Sequence, residues 1–530
     1  MPRMNGGQAL VRSLAAEGLR AVFGVPGAGQ YEAIDALYST PSIRYIAVRH
    51  EQAASYMADG YARASGEVAA ALVVEGPGLF NALSGVATAF ATSSPVLVVT
   101  GDHHHRKKDL ELDETAWLGP LTKWVGRAQC PAAIPEIVQE AFQHLRSGRP
   151  RPVGIEVPPA VFAATEEVIL AQPAADTPAP AVGDPHAIQR AAELLASARR
   201  PVIWAGGGVM RARAATLVAE LADYLQIPVV TTRQGKGSIS ERHPLSLGMA
   251  EMRFQPLRNW LSSRDLILAV GTSHYTSGEG QQVIRIDVDE SEFGDGDELL
   301  AIQGDAYPVM LALNQAVAAA GPSRGDKAEA VQGEVAAINE ARFEPSRQLQ
   351  PQWGFMEAIH AALPDDAIVI QGMNQMGYYS RNYFRARAPH SYLTSSSHGT
   401  LGCAYPIAVG AKVGCPDRVV VSLSGDGGFL YNVQELSTAV QYGINAVAVV
   451  FNDNAYGNVL RAQMEEFDGH VLGTKLHNPD FVALAHSFGA NGVRAEDANA
   501  LHAALSEAVA TENDKPVLIE VPVGMLDREF

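Results

Sequence analysis

Cysteine is nearly absent: the 530 residues hold three, Cys130, Cys403 and Cys415, with no CxxC spacing among them. That excludes a disulfide-stapled scaffold and a cysteine metal site, and it points to a reducing compartment. Long apolar runs are missing too. None approaches the roughly 20 residues that cross a bilayer, and the N-terminal MPRMNGGQALVRSLAAEG has no continuous apolar stretch of the signal-peptide kind. Positive charge is in deficit, with a net formal charge of −18, which argues against nucleic acid or an anionic membrane as the main partner. The expectation is a cytoplasmic protein that binds neither.

What is abundant is apolar bulk, 47% of residues hydrophobic against 18% charged, enough to offset chain entropy and exclude wholesale disorder. A chain of 530 residues also exceeds what one core organises, so several domains follow. Short β-branched runs alternate with longer helix-period stretches, the pattern of parallel sheets flanked by helices, and the fold class is α/β. In the first third the strand candidates are 21–25, 45–49, 70–75, 95–101 and 153–158, with a helix over 51–64; in the last third they are 367–372, 391–395, 419–425, 446–452 and 517–522. The two series match in number and order and close on the similar peptides GIEVP and LIEVP, which suggests a distant internal duplication. Between them 201–208, 228–232, 265–271 and 283–289 predict a third sheet. The Pro/Ala-rich stretch 171–185 reads as one linker and the polar stretch 320–350 as another. Three doubly wound parallel-sheet domains result, at 1–170, 186–325 and 350–530.

Strand 419–425 runs into Gly425-Asp426-Gly427-Gly428 and then FLYNVQELSTAV, read as an amphipathic helix. Glycines at a strand-to-helix turn let backbone N–H groups approach a phosphate. A carboxylate there repels a bare phosphate, so Asp426 makes sense as a ligand of a divalent cation that bridges to a diphosphate, for which Mg²⁺ is suited. Asn452-Asp453-Asn454-Ala455-Tyr456-Gly457 ends the next strand, where parallel sheets collect their ligands, and offers further oxygen donors to the same ion. Either cluster alone is ordinary turn chemistry. Together, on consecutive strands, they are specific.

With these residues in view, the sequence resembles the thiamine-diphosphate-dependent 2-oxo acid decarboxylase and acetolactate synthase family, whose signature is GDG followed some 25 residues later by an Asn pair. Here 24 residues, 428–451, separate Gly427 from Asn452. The resemblance spans RHEQAASYMADGYARASG (49–66), EGPG (75–78), TKW (122–124) and GTLGCAYPIAVGA (399–411), with the order pyrimidine-binding, central Rossmann-like and diphosphate-binding domain. It implies Asp426, Asp453 and the Ala455 carbonyl as metal ligands, although Asp453 stands where the family carries Asn; Asn454 is the alternative ligand. It implies Glu51 as the carboxyl that hydrogen-bonds the aminopyrimidine, Leu401 as the apolar wedge that holds the cofactor bent, and Asn374, Gln375, Gly425, Gly427, Gly428, Tyr456 and Gly457 around the diphosphate. The cofactor would lie between the first domain of one subunit and the last domain of another, making a homodimer or homotetramer the working unit.

The implied reaction is decarboxylation of a 2-oxo acid followed by carboligation to a second carbonyl, as in acetolactate synthases. The alternative is a simple decarboxylase of the benzoylformate type that releases an aldehyde. Three departures bear on the choice: Asp109-Leu110-Glu111 replaces the FQE segment, the 273–282 loop is short and lacks the paired Asp and Arg that contact flavin, and the sequence stops at VPVGMLDREF with little of the C-terminal tail that covers the synthase site. These count against FAD. Glu75 occupies a position where synthases carry Ser, and a carboxylate there could relay a proton. His103, His104 and His105, followed by three basic residues, read as a solvated turn or a substrate-carboxylate site. The glycines at 206–208 and in 24–29 fit no GxGxxG fingerprint, which leaves a nicotinamide-dependent oxidoreductase unsupported.

Overall fold

A computed structural model describes residues 2–102, 113–171, 180–294, 299–395, 398–510 and 515–527. His103–His105 and the Asp109–Glu111 segment lie outside the described residues, as does most of the first expected linker.

Among the described residues, three six-stranded, wholly parallel sheets flanked by helices make up the domains, beside a small antiparallel pair of Arg3–Asn5 with Thr165–Glu167. The first contains Ala21–Gly24, Arg44–Ala47, Ala69–Leu72, Val96–Thr100, Val125–Arg127 and Val153–Glu156. The last contains Ile368–Gln371, Tyr392–Thr394, Val420–Gly425, Val447–Asn452, Asn491–Arg494 and Val517–Pro522. Counting strands along the chain, both sheets have the order 2-1-3-4-6-5. The matching order extends the internal similarity from sequence to topology. The central sheet, between residues 201 and 303, has the order 3-2-1-4-5-6, that of a dinucleotide-type doubly wound fold.

Each sheet holds six strands rather than the five, four and five expected. The four unforeseen strands, Val125–Arg127, Ser246–Met249, Leu299–Gln303 and Asn491–Arg494, all lie at sheet edges. An edge strand has one neighbour and needs no continuous apolar run; VGR and NGVR have none. The second expected linker is also different: Ala328–Ser346 is a 19-residue helix, polar because one flank only is packed, through Val335, Arg342 and Ser346. The expected helix after Gly428 is broken into a four-residue turn, Asp426–Phe429, and a separate helix, Glu435–Gln441.

First and last domains share one apolar core. Helix Glu51–Ser65 crosses helix Ala404–Gly414 at Gly60 and Gly410: a Cβ at Gly60 would stand 2.1 Å from the Ile407 carbonyl oxygen, and one at Gly410 1.9 Å from that of Met57. Only hydrogen at both positions allows the backbones so close. The buried Arg63–Asp59 pair, at 2.5 Å, seals the crossing, and Arg63 Nη1 donates to the Thr394 carbonyl at 2.7 Å. Both charges are fully partnered, which offsets their loss of hydration. The crossing fixes where the first domain's Glu51 and the last domain's glycine turn stand relative to each other.

Candidate active site

The last sheet places two acidic turns side by side. Strand Val420–Gly425 pairs in register with Val447–Asn452, so Asp426 and Asp453 emerge from adjacent C-terminal strand ends, the place where open parallel sheets bind ligands. Asp426 is buried. Burial first, and the Asp426 carboxylate beside it second, push Asp453 up to about 7, and the two side chains are close enough to hydrogen-bond. Two carboxylates crowded at one partly desolvated point repel unless a proton or a cation stands between them.

The turn that carries Asp453 is held from several sides. Asn454 has φ +52°, Asn454 N–H donates to Asn452 Oδ1 at 3.2 Å and Ala455 N–H to Asp453 Oδ1 at 3.2 Å. Tyr456 N–H donates to the Thr474 carbonyl and Leu476 N–H to that of Asn454, each at 2.8 Å. This short antiparallel contact brings in a residue that the sequence reading missed. Asn478 Nδ2 reaches Asp426 Oδ2 at 2.5 Å, Asn452 Oδ1 at 2.9 Å and Asn454 Oδ1 at 3.3 Å. Its signal was the Asn478-Pro479-Asp480 turn, in which Asp480 caps helix Phe481–Ser487. Carboxylate and carboxamide oxygens of Asp426, Asn452 and Asn454 gather around the Asn478 amide, with Asp453 beside Asp426, and such oxygens suit a hard divalent cation.

Gln375 opens helix Gln375–Tyr383 and gives its Nε2 to Asp453 Oδ2 at 2.6 Å. Asn374 caps that helix, its Oδ1 accepting from Gly377 N–H at 2.9 Å while its Nδ2 donates to the Leu423 carbonyl at 2.8 Å. Asn374 thus lies against Gly425, whose Cβ, if present, would be 2.8 Å from that of Asn374. Gly372, Met373, Leu401, Gly402, Ser424, Gly425 and Gly428 border one shallow cleft. Gly427 lies against Tyr456, and Gly457 against Asp453 and Gln375.

In the first domain Glu51 is the first residue of its helix, where a carboxylate suits the macrodipole. Its Oε2 accepts from Asn81 Nδ2 at 3.1 Å, and Gly78 of the Gly-Pro-Gly turn leaves open the space beside its Oε1. Gln52, the next residue, accepts from Asn432 Nδ2 at 3.1 Å, and Asn432 also donates to the Gly402 carbonyl at 2.8 Å. The start of the Glu51 helix is thereby tied to the loop that follows Leu401. Glu75 is buried, its carboxylate packed against Gly29 and Gly101, while Val74 packs against Gly27 and Gly78.

Family comparisons match this architecture domain by domain. Residues 4–122 match the thiamine pyrophosphate enzyme N-terminal TPP binding domain, 188–313 the central domain and 372–521 the C-terminal TPP binding domain. A probable acetolactate synthase large subunit of Methanocaldococcus jannaschii is 33% identical across 98% of this chain and 92% of its own length. The chain belongs to the thiamine-diphosphate-dependent, acetolactate-synthase-like family. Other family members are the acetolactate synthase isozyme 3 large subunit of Escherichia coli, 30% identical over 99% of this chain and 95% of its own, and the probable 2-ketoarginine decarboxylase AruI of Pseudomonas aeruginosa, 35% identical over 92% and 88%. This family member is thus a thiamine-diphosphate-dependent enzyme of the lyase/transferase type. Among its described residues no helix is long and apolar enough to cross a membrane.

Proposed function

We propose that this enzyme decarboxylates a small 2-oxo acid and ligates the product to a second carbonyl, in the manner of an acetolactate synthase. Thiamine diphosphate, when bound, supplies the nucleophilic carbon and the electron sink that loss of CO₂ requires. The observation that carries the reading is the Asp426–Asp453 pair at neighbouring strand ends, a site that accommodates a cation and, through it, a diphosphate. Asp426, Asp453 and the Ala455 carbonyl would hold Mg²⁺, with Asn454 as the alternative donor. Gly425, Gly427, Gly428, Tyr456, Gly457 and the start of the Gln375–Tyr383 helix, capped by Asn374, would surround the diphosphate. Leu401 would support the bend of the cofactor, and Glu51 would hold the proton shared with its pyrimidine ring.

The working unit is a homodimer or homotetramer with sites between subunits, and its domains divide at 1–170, 186–325 and 350–530. Exposed apolar side chains beside the site support the assembly: Trp117 is 50% exposed and packs edge-on against Phe80, one position before Asn81, and Tyr431 is 49% exposed next to Asn432. Such side chains mark a surface that expects a partner. The free thiols of Cys130, Cys403 and Cys415 support a cytoplasmic location.

A second reading, aldehyde release without ligation, is supported by the similarity to the 2-ketoarginine decarboxylase and by the buried Glu75. Product analysis with a panel of 2-oxo acids, with and without an aldehyde acceptor, separates the two. The role of Glu51 is tested by Glu51→Gln, which should abolish CO₂ release while thiamine diphosphate still binds in the presence of Mg²⁺; unchanged turnover would overturn that role.

A further inference from the structure

Three residues remote in sequence meet behind the acidic pair. Gln375 opens one helix, Arg461 lies within helix Gly457–Glu466, and Leu526 belongs to the segment that follows strand Val517–Pro522. The Gln375 carboxamide is committed at both ends: Nε2 donates to Asp453 Oδ2 at 2.6 Å, while Oε1 accepts from Arg461 Nη2 at 3.0 Å and from Leu526 N–H at 2.8 Å. Arg461, nearly fully buried, donates from the same Nη2 to the Leu526 carbonyl. These partners permit one orientation of the amide. Turning it over would set an oxygen against a carboxylate and an NH₂ against a guanidinium and an N–H.

The other face of Asp453 is held too, since Oδ1 accepts from Ala455 N–H at 3.2 Å. The close approach of Gln375 depends on a small neighbour: a Cβ at Gly457 would lie 2.2 Å from Asp453 Oδ2 and 2.7 Å from Gln375 Nε2. The C-terminal segment is tied at two points. Val523 N–H donates to the Asn452 carbonyl, at the end of the strand that carries the acidic turn, at 2.9 Å, and Leu526 joins the Gln375–Arg461 contact three residues later.

We propose that Gln375 and Arg461 are positioning residues for Asp453, and that docking of the C-terminal segment at Leu526 locks them in place, so that affinity for the divalent cation is set by a contact from the chain's far end. The proposal rests on the metal-ligand reading of Asp426 and Asp453. Arg461 acts through the carboxamide: its guanidinium fixes the Gln375 oxygen, which aims the NH₂ at Asp453 and keeps that carboxylate from swinging away from Asp426. A ligand held in its binding orientation loses less freedom when the ion arrives.

The test is a Mg²⁺ titration of thiamine diphosphate binding to the full chain, followed by intrinsic fluorescence or calorimetry, with circular dichroism and melting temperature as the measure of folding. Gln375→Glu retains the acceptor for Arg461 and Leu526 but sets an oxygen against Asp453; it should raise the half-saturating Mg²⁺ about tenfold in a folded protein. Arg461→Ala should raise it several-fold, and the double variant should be no worse than Gln375→Glu alone, because both act along one path. A merely structural Arg461 would lower the melting temperature and leave the Mg²⁺ midpoint in place. Midpoints within twofold of the parent for folded Gln375→Glu and Arg461→Ala, or additive effects in the double variant, overturn the proposal. Asp426→Asn serves as the reference: if it too binds the cofactor with the parent's Mg²⁺ dependence, the metal-ligand reading itself fails, whereas loss of binding there beside retention in the other two sinks the positioning role alone.

Discussion

At the scale of the residue, the proposed cation site holds a carboxylate, Asp453, where the family resemblance implies an amide. A second negative oxygen strengthens attraction for a hard dication and adds repulsion toward a diphosphate. Asp453→Asn should therefore weaken Mg²⁺, raising its half-saturation by roughly tenfold, while thiamine diphosphate binds at least as tightly once Mg²⁺ is saturating; titrating each against the other resolves the two effects. Glu75 poses a different question, since its carboxylate is buried against Gly29 and Gly101. If it relays a proton to the product, Glu75→Gln should shift the ratio of aldehyde to ligated product by about tenfold or more toward ligation, read by chromatography of the reaction mixture. An unchanged ratio with intact turnover would remove Glu75 from the chemistry.

At the scale of the element, the crossing of helices Glu51–Ser65 and Ala404–Gly414 carries most of the geometry. Gly410→Ala forces a methyl against the Met57 carbonyl and should cost about 1–3 kcal/mol, seen as a lower urea midpoint. Glu435, at the start of helix Glu435–Gln441, accepts from Arg49 N–H at 3.1 Å across the same domain junction. Burial pushes it up from 4.5 to about 7, against the opposing bonds from Thr438 and Arg49. The folded chain therefore holds this proton more tightly than the unfolded chain does, and the contribution is fully present below pH 4.5 and lost as pH rises through about 7. Glu435→Gln should gain on the parent enzyme by about 1–3 kcal/mol between pH 5 and pH 8, as a widening gap between their denaturation midpoints. Elements also show where sequence patterns inform and where they fail. Central strands such as Val447–Asn452, buried on both faces, announce themselves as continuous apolar runs, whereas NGVR pairs with Val517–Pro522 at an edge and has no such run. The break at 430–434 between two short helices was equally hidden, because FLYNVQELSTAV keeps a helical period through it.

At the scale of the whole molecule, the proposed assembly pairs the Glu51 of one chain with the Asp426 of another. Within one chain the first and last domains are already joined through the shared core and the Gln52–Asn432 bond, while Phe80, Trp117 and Tyr431 remain exposed nearby. Complementation decides the matter. Mixing inactive Glu51→Gln subunits with inactive Asp426→Ala subunits should restore about a quarter of parent activity if each site draws on two chains, since roughly half of the dimers are hybrids with one intact site. If each site is built from one chain, mixing restores nothing.

The sequence alone determined the α/β class, the three-sheet order, the two acidic turns and the family, because each is written in local features: apolar runs, glycine turns and short motifs that need no distant neighbour to be recognised. Tertiary structure decided the remainder. That Asn478 touches Asp426, that Gln375 spends its amide on Asp453 and receives Arg461 and Leu526, and that the Glu75 carboxylate packs against Gly29 and Gly101 depend on how strand ends, helix starts and the C-terminal segment meet in space. Hydrogen bonds are directional over about 3 Å, and no spacing along a chain specifies position that finely.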